Sequence, residues 1–224
     1  MTTAELAARL RREGEARYHH RHPFHLRMNA GDLAPHELRR WMANRWYYQT
    51  RIPIKDALIV AKSEDPAFRR VWRRRIVDHD GEREGEGGLA DWERLAVAAG
   101  LPAEELRSCR GVLPGVRFAC DAYVTLVRES ELVVAVASSL TELYAPELMS
   151  ERLAAFETHY GFIDRAALAY FRGRVPRARR DGEEALAFVI EHARSREQQD
   201  ACVAALVTKT EILWHLLDCV AAGA

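Results

Sequence analysis

The sequence has few cysteines, few lysines and no excess charge of either sign. Its four cysteines (Cys109, Cys120, Cys202 and Cys219) are widely spaced and include no C-x-x-C pair. In a chain of 224 residues this predicts reduced thiols and a cytoplasmic location. The 33 basic residues balance 33 acidic ones, whereas a nucleic-acid-binding domain usually has a basic excess. We therefore expect no nucleic-acid partner.

Signals for secretion, membranes and nucleotide phosphates are also missing. The N-terminus lacks a basic segment followed by an apolar one, so it predicts no signal peptide. No apolar run approaches the ~20 residues that a membrane helix needs, so we expect no membrane partner. The sequence contains neither a glycine-rich phosphate loop nor a G-x-S-x-G nucleophile elbow.

Lysine is scarce because arginine replaces it almost everywhere. Only Lys55, Lys62 and Lys209 remain among the basic residues, which is typical of codon bias in a G+C-rich genome. In such a background a retained lysine indicates a position that needs a compact ammonium rather than a planar guanidinium.

The apolar residues recur with helical spacing, and no run alternates as a strand does. Capping boxes at Thr2-x-x-Glu5 and Ser195-x-x-Gln198 predict the starts of the first and last helices. Pro53 predicts a kink or a break in the second helix, Pro176 predicts the start of a new helical segment, and residues 18–25 and 80–88 are predicted to be connectors. The sequence predicts an all-α, compact bundle of seven or eight helices in a single domain, residues 1–224.

Several pairs of polar side chains are three or four residues apart and therefore share a helix face. This spacing fits a binding pocket and a solvated surface equally well. The pairs are Arg45 and Gln49, Arg75 and His79, Tyr170 and Arg174, and Met149 and Arg152. His79 lies between two aspartates and is a candidate acid–base residue, since histidine titrates near neutral pH. The four histidines of residues 18–25 lack a metal-binding helix motif, so we predict no metal site.

Seven segments in order resemble the pyrroloquinoline-quinone synthase family over nearly the whole chain. They are residues 18–25, 41–49 with 52–56, 75–81, 113–119 with 121–123, 138–146, 170–174 with 178–181, and 196–199. The resemblance implies a haem-oxygenase-like fold, a homodimer, and an enzyme without metal or cofactor.

The activity that the resemblance implies is the last step of pyrroloquinoline quinone (PQQ) biosynthesis. The substrate would be a bicyclic amino-quinone with several carboxylates. The enzyme would close its remaining ring and oxidise it in steps with O2, releasing hydrogen peroxide. PQQ would be the product and not a prosthetic group.

The resemblance also assigns roles to individual residues. It implies His79 as the main acid–base residue, with Tyr170 and Arg174 on an element that closes over the substrate and helps to form the oxygen site. The positions that would contact substrate are His19, Arg45, Gln49, Lys55, Arg75, Tyr123, Thr141, Glu142, Met149, Arg152 and Lys209. Bidentate arginines suit a substrate that bears several carboxylates.

Met149 departs from the family pattern, which has a histidine in the oxygen-side pocket. Methionine can neither donate a proton nor form a strong hydrogen bond. We expect substrate binding to survive and oxygen chemistry to be slower or unchanged.

Two other functions fit the same segments. A carrier would bind PQQ or its precursor without turnover, and Met149 would then reflect the loss of catalysis. Another enzyme of the same fold, a thiaminase-like hydrolase or a di-iron oxygenase, would need an activated cysteine or a bound metal.

Overall fold

The computed structural model describes residues 1–223, which form twelve α-helices and three short 3-10 turns and contain no strand. The α-helices are α1 (Thr3–Arg17), α2 (Pro23–Ala30), α3 (Pro35–Ala61), α4 (Pro66–Trp72), α5 (Arg74–Asp80), α6 (Gly87–Ala98), α7 (Ala103–Ser108), α8 (Pro114–Glu129), α9 (Leu132–Ala137), α10 (Ala145–His159), α11 (Ala169–His192) and α12 (Arg196–Ala222). The 3-10 turns are His19–Arg21, Leu140–Leu143 and Arg165–Leu168.

The predicted all-α bundle is confirmed. Seven helices have twelve or more residues, which matches the predicted number, and five shorter ones join or extend them. Both predicted capping boxes are present, at Thr2 and at Ser195. In each, the cap side chain accepts a backbone N–H of the first turn, which satisfies a donor that has no partner within the helix.

No helix breaks at Pro53 and none begins at Pro176, contrary to prediction, because α3 and α11 run through these prolines. A proline in a helix removes one hydrogen bond and strains the preceding turn, at a cost of about 3 kcal/mol. Both helices bury a long face on either side of the proline, and that burial outweighs the loss. As a result, Arg45 and Lys55 lie on one helix.

The histidine-rich connector is also more ordered than predicted. Residues 19–21 form a 3-10 turn, and α2 begins at Pro23 inside the predicted connector. His22 caps α2 by accepting the backbone N–H of Phe24 at Nδ1, over 3.0 Å. The turn buries His19 and α2 buries His25, so both side chains face the interior.

One hydrophobic core runs through the bundle from Leu6 in α1 to Val220 in α12. At its centre the rings of Trp41 and Trp92 meet edge to face with their centroids 5.3 Å apart. Trp92 also meets Tyr170 of α11 in the same way, at 4.8 Å. In this structure the core therefore packs directly against Tyr170 of α11.

The residues from Leu132 to His159 are more apolar than the sequence analysis allowed. One window of 18 residues has a mean hydropathy of 1.3, enough by composition for a membrane span. In the fold this stretch is divided into α9, a 3-10 turn and α10, and 67% of the window is buried inside the bundle. Packing in the core accounts for its apolar character.

Helix α11 lies directly on the 3-10 turn that carries Thr141 and Glu142, and Gly182 makes this approach geometrically permissible. A Cβ on Gly182 would lie 2.9 Å from the backbone nitrogen of Leu143 and 3.1 Å from the carbonyl carbon of Glu142. Both atoms belong to the backbone, so the close contact could be relieved only by a shift of the whole turn.

We expect Gly182→Ala to destabilise the protein by roughly 1–3 kcal/mol, as overpacking does. The matched control is Gly173→Ala in the same helix, where an added Cβ meets only the flexible Arg177 side chain at 3.8 Å. That substitution should be neutral or stabilising, because alanine favours helix over glycine. Thermal and urea unfolding of both variants test this, and equal stabilities would contradict it.

Candidate active site

A small cavity of about 30 Å³ lies inside the bundle where α3, α5, α10, α11 and α12 meet. Its lining residues are Tyr18, His19, Arg45, Tyr48, Gln49, Ile52, His79, Thr141, Glu142, Ala145, Met149, Tyr170, Arg174 and Leu213. The cavity has room for roughly two waters. A ligand of drug size needs roughly 300 Å³ or more, so such a ligand would have to displace wall side chains.

His79 reaches the cavity from the last turn of α5 and is almost fully buried. Its Nδ1 lies 3.0 Å from the carbonyl oxygen of Arg75. Because a carbonyl only accepts, Nδ1 carries the proton and Nε2 is left as the acceptor. Burial, followed by the charge of Arg174, lowers the pKa of His79 to about 4. At neutral pH His79 is therefore an uncharged base with a fixed tautomer.

Tyr170 and Arg174 face the cavity one turn apart on α11, and each is held by a residue of another element. The Nε2 of Gln49 donates to the Tyr170 hydroxyl at 2.7 Å, which leaves the hydroxyl proton free to donate elsewhere. Burial raises the pKa of Tyr170, so the hydroxyl stays protonated. Arg174 donates to Glu142 in a short ion pair.

Three buried basic residues near the cavity have carboxylate partners. Lys55 Nζ lies 2.6 Å from Asp56, and Arg75 and Arg174 both approach Asp181. A paired charge can remain buried in the absence of a ligand.

Three other basic residues have no such partner. Among residues 1–223, no carboxylate oxygen lies within 4.0 Å of Arg45, Arg152 or Lys209. Lys209 Nζ instead donates to the Tyr48 hydroxyl at 2.8 Å, and the Arg45 guanidinium lies 4.0 Å from the centre of the Tyr48 ring. Burying a basic group without an anion is costly. The site therefore has the electrostatics of an anion receptor.

His19 and His25 adopt neutral forms that fit this positive environment. The Nδ1 of His25 donates to the carbonyl oxygen of His19 at 2.9 Å, and its Nε2 accepts from Arg152 at 2.9 Å. Burial lowers the pKa of His19 well below its ordinary value, and His25, Arg45, Arg152 and Lys209 lower it further. Neutral His19 can accept or donate, whereas an imidazolium would add to the positive charge.

Polar atoms without hydrogen-bond partners concentrate at this site. The described residues include eight buried side-chain nitrogen or oxygen atoms that lack one. Five belong to predicted site residues: His19 Nδ1, Arg45 Nε, Arg75 Nε, Arg152 Nε and Arg174 Nη1. Buried polar groups normally have partners, so this distribution marks the place where a polar ligand would supply them.

Most predicted site residues meet at the cavity, and the others lie behind its wall. Those that line it are His19, Arg45, Gln49, His79, Thr141, Glu142, Met149, Tyr170 and Arg174. Those buried behind the lining are Lys55, Arg75, Tyr123, Arg152 and Lys209. Lys209, for example, lies 3.5 Å from the centre of the Tyr123 ring and reaches the lining through Tyr48. Their predicted roles stay predictions.

Five lining residues were not predicted from the sequence: Tyr18, Tyr48, Ile52, Ala145 and Leu213. Four of them stand three or four positions from a predicted site residue on the same helix, as Leu213 does from Lys209. Extending each predicted helix face by one turn would have found them. Nor were Asp56 and Asp181 predicted, whose role as counter-charges appears only in the tertiary contacts.

The cysteines lie away from the cavity lining. Burial raises the pKa of Cys120 and Cys202 to about 12, which makes both thiols poor nucleophiles. The site thus offers a thiaminase-like hydrolase no cysteine. Within residues 1–223, no three side chains of histidine, cysteine, aspartate or glutamate converge as metal ligands would.

The buried histidines predict a loss of stability in mild acid. The pKa of His79 is lowered from 6.5 to about 4, and those of His19 and His25 are lowered well below 6.5. The unfolded chain therefore binds protons first, so the free energy of unfolding falls as pH drops from about 6.5 towards 4. His79 alone contributes about 3 kcal/mol to this loss.

Urea unfolding between these pH values measures the slope of the free energy of unfolding against pH. His79→Gln should make it shallower, whereas His192→Gln, at an exposed position, should leave it as it is. A free energy of unfolding that stays constant across the range would contradict the burial argument.

Known proteins are similar to this chain over nearly its whole length. The family model described as TENA/THI-4/PQQC family matches residues 8–219. The chain belongs to the TENA/THI-4/PQQC family. Within this family it is 52% identical over 222 residues to pyrroloquinoline-quinone synthase of Rhizobium meliloti strain 1021, covering 97% of this chain and 87% of the relative. The predicted resemblance is confirmed.

A second relative agrees with this family assignment, and two solved structures share the fold. Pyrroloquinoline-quinone synthase of Gluconobacter oxydans strain 621H is 46% identical over 218 residues, covering 97% of this chain and 91% of the relative. A Shewanella denitrificans domain with a haem-oxygenase-like fold superposes with TM-score 0.79 at 14% identity, over 100% and 93% of the two chains. A TenA homologue from Pseudomonas syringae superposes with TM-score 0.76 at 16% identity, over 98% of this chain and 92% of the homologue. The predicted haem-oxygenase-like fold of this family member is confirmed.

Proposed function

We propose that this protein is a pyrroloquinoline-quinone synthase, the enzyme that completes PQQ biosynthesis. It closes the remaining ring of a bicyclic amino-quinone that bears several carboxylates, and it oxidises the closed product in steps. Electrons leave the carbon skeleton and reduce O2, with release of hydrogen peroxide. The curated relatives of that name and the anion-receptor site support this proposal.

The observation that carries the proposal is the set of basic residues without carboxylate partners, in and behind the wall of the cavity that the neutral His79 lines. Arg45, Arg152 and Lys209 lack carboxylate partners in the described chain, so substrate carboxylates would complete their charge balance. Charge-assisted hydrogen bonds of this kind are the strong ones. They would hold the planar substrate with a fixed face towards His79.

Ring closure and oxidation both require protons to leave carbon or nitrogen, and His79 is the base for that step. Its Nε2 is unprotonated and directed away from the Arg75 carbonyl, and its Nδ1 proton is fixed by that carbonyl. Once protonated, His79 returns the proton to reduced oxygen. A positioned acid–base group contributes roughly 10²–10⁴-fold.

Substrate entry requires the wall to move, and we assign that movement to the Tyr170–Arg174 turn of α11. Gln49 and Glu142 hold this turn when the cavity is small. Closure over the substrate would exclude water from reactive reduced intermediates. The homodimer and the absence of a metal or cofactor, which the resemblance implies, and the cytoplasmic location, which the cysteine pattern predicts, belong to the same proposal.

The test is turnover by metal-stripped protein given the ring-open amino-quinone in air. PQQ is assayed by activation of an apo-quinoprotein dehydrogenase, with O2 uptake and hydrogen peroxide measured in parallel. We expect many equivalents of PQQ per protomer. Stoichiometric binding without turnover would establish a carrier instead. Activity only after iron is restored would establish a metal-dependent oxygenase.

Met149 lines the cavity and favours the carrier as the alternative to examine. We expect Met149→His to speed the O2-dependent step without changing PQQ affinity, because imidazole can donate a proton to reduced oxygen and a thioether cannot. Stopped-flow mixing of O2 with the anaerobic complex of protein and amino-quinone measures the rate of this step. An unchanged rate would show that Met149 does not limit it.

A further inference from the structure

Asp181 is a buried carboxylate on the inner face of α11, two turns after Arg174. Its Oδ2 lies 3.6 Å from Arg174 Nη1, and its Oδ1 lies 4.0 Å from Arg75 Nε. Its backbone oxygen accepts a hydrogen bond from Arg75 Nη2. Asp181 therefore stands between two site guanidiniums that come from two different helices, α5 and α11.

Arg180 also holds the Asp181 carboxylate in place through hydrogen bonds. Arg180 Nη2 and Nε donate to Asp181 Oδ1 at 2.8 and 3.2 Å, and Nη2 also pairs with Asp78, the neighbour of His79. Burial opposes the charge on Asp181, but Arg75, Arg174 and Arg180 outweigh it and lower its pKa. The carboxylate is ionised at neutral pH and cannot turn away.

The two distances to the site arginines have a chemical consequence. At 3.6 and 4.0 Å the carboxylate attracts both guanidiniums but accepts no hydrogen bond from the atoms that face it. Arg174 Nη1 and Arg75 Nε are both buried without a hydrogen-bond partner. Asp181 thus compensates their charge and leaves these two N–H groups available to another acceptor.

We propose that Asp181 is a positioning residue that, in the closed arrangement of α11, holds Arg75 and Arg174 as a pair for the carboxylates of the substrate. The inference rests on the proposed function for the identity of that substrate. Asp181 itself need not touch the ligand. It acts through the two arginines, whose charge it balances without occupying the donors that they would present.

The test is Asp181→Asn, which keeps the size of the side chain and removes its charge. We expect kcat/KM for the amino-quinone to fall by roughly 10²-fold, the effect of a small misplacement of binding groups. PQQ binding by absorbance titration should also weaken, by about tenfold. The matched control is Glu184→Gln, since Glu184 joins the same two helices through Arg74 at the surface. It should leave both values within twofold.

A second measurement needs no substrate and separates positioning from general stability. The side-chain Nε–H resonances of Arg75 and Arg174, followed by ¹⁵N NMR, should be dispersed and protected from exchange in the wild type. In Asp181→Asn they should move towards the position of solvent-exposed arginines, while Glu184→Gln leaves them in place. If Asp181→Asn does not fold, the double variant with Arg180→Gln removes one cation along with the anion and is measured instead.

The measurements distinguish a failure of the inference about Asp181 from a failure of the proposed function. A folded Asp181→Asn protein with unchanged arginine resonances and with kcat/KM and PQQ affinity within twofold of wild type would overturn the inference. A wild type that neither binds PQQ nor forms it would overturn the proposed function. The NMR comparison would then still show whether Asp181 orders the two arginines.

Discussion

His79→Ala should lower kcat for PQQ formation by roughly 10²–10⁴-fold, the usual contribution of a positioned acid–base residue. The reason is geometric. The Arg75 carbonyl fixes the proton on Nδ1, so Nε2 is the one unprotonated ring nitrogen, and alanine offers no base in its place. Because the basic residues that would bind the substrate remain, PQQ affinity should change by only a few-fold.

Single-turnover kinetics with saturating amino-quinone measure the chemical step apart from binding. Added imidazole should restore part of the rate in His79→Ala, because the deletion leaves space at a buried position. The control is His36→Ala at an exposed position of α3, which should behave as wild type. Turnover by His79→Ala at the wild-type rate would remove His79 from the mechanism.

Lys209→Met should weaken PQQ binding and at the same time stabilise the ligand-free protein. Lys209 is fully buried and has no carboxylate partner among the described residues. Burial, together with the charge of Arg45, lowers its pKa well below the ordinary value. Losing a hydrogen bond to a charged ligand group costs about 1.5–3 kcal/mol, or roughly 10–100-fold in affinity.

The gain in stability follows from removing a basic group that the fold buries without compensation. We expect the free energy of unfolding to rise by roughly 1–3 kcal/mol, part of the penalty for burying an ion. The sign of its pH dependence is set by the lowered pKa. Between the ordinary lysine pKa and the lowered folded one, only the unfolded chain binds the proton, so the advantage of Lys209→Met grows as the pH falls through this window and is constant below it.

Lys62→Met is the matched control, because Lys62 is another of the three lysines but its amine hydrogen-bonds the Arg128 carbonyl at the surface. It should change neither PQQ affinity nor the pH dependence of stability. Titration with PQQ and urea unfolding at two pH values measure both effects. A Lys209→Met protein that is less stable than wild type and binds PQQ equally well would show that Lys209 is a structural residue.

The trade-off expected for Lys209 is a general property of binding sites. Groups that await a ligand are unsatisfied without it, and the rest of the fold compensates for their cost. The five partnerless polar atoms of the predicted site residues show the same condition. Replacing them with apolar groups of similar size should in general stabilise the free protein and reduce affinity.

Local chemistry made several features predictable from the sequence. The capping boxes at Thr2 and Ser195 depend on side chains three residues apart, and both are present. Helical spacing also brought Tyr170 and Arg174 onto one face of α11, and both line the cavity. Interactions within one turn of a helix need no information from the rest of the chain.

Other features depended on packing between distant segments and were therefore missed. Pro53 and Pro176 lie inside helices, because burial of the flanking faces compensates for the lost hydrogen bond. Four of the five unpredicted lining residues were indicated only by their helical spacing from predicted ones.

The sequence by itself determined the helical class, the positions of the caps, the family and the residue types of an anion-binding site. The tertiary structure decided which charges are paired. Asp181 balances Arg75 and Arg174, whereas Arg45, Arg152 and Lys209 have no carboxylate oxygen within 4.0 Å in the described chain. The physical reason is that an ion pair depends on a distance across the fold. Sequence spacing fixes such distances within a helix but not between helices.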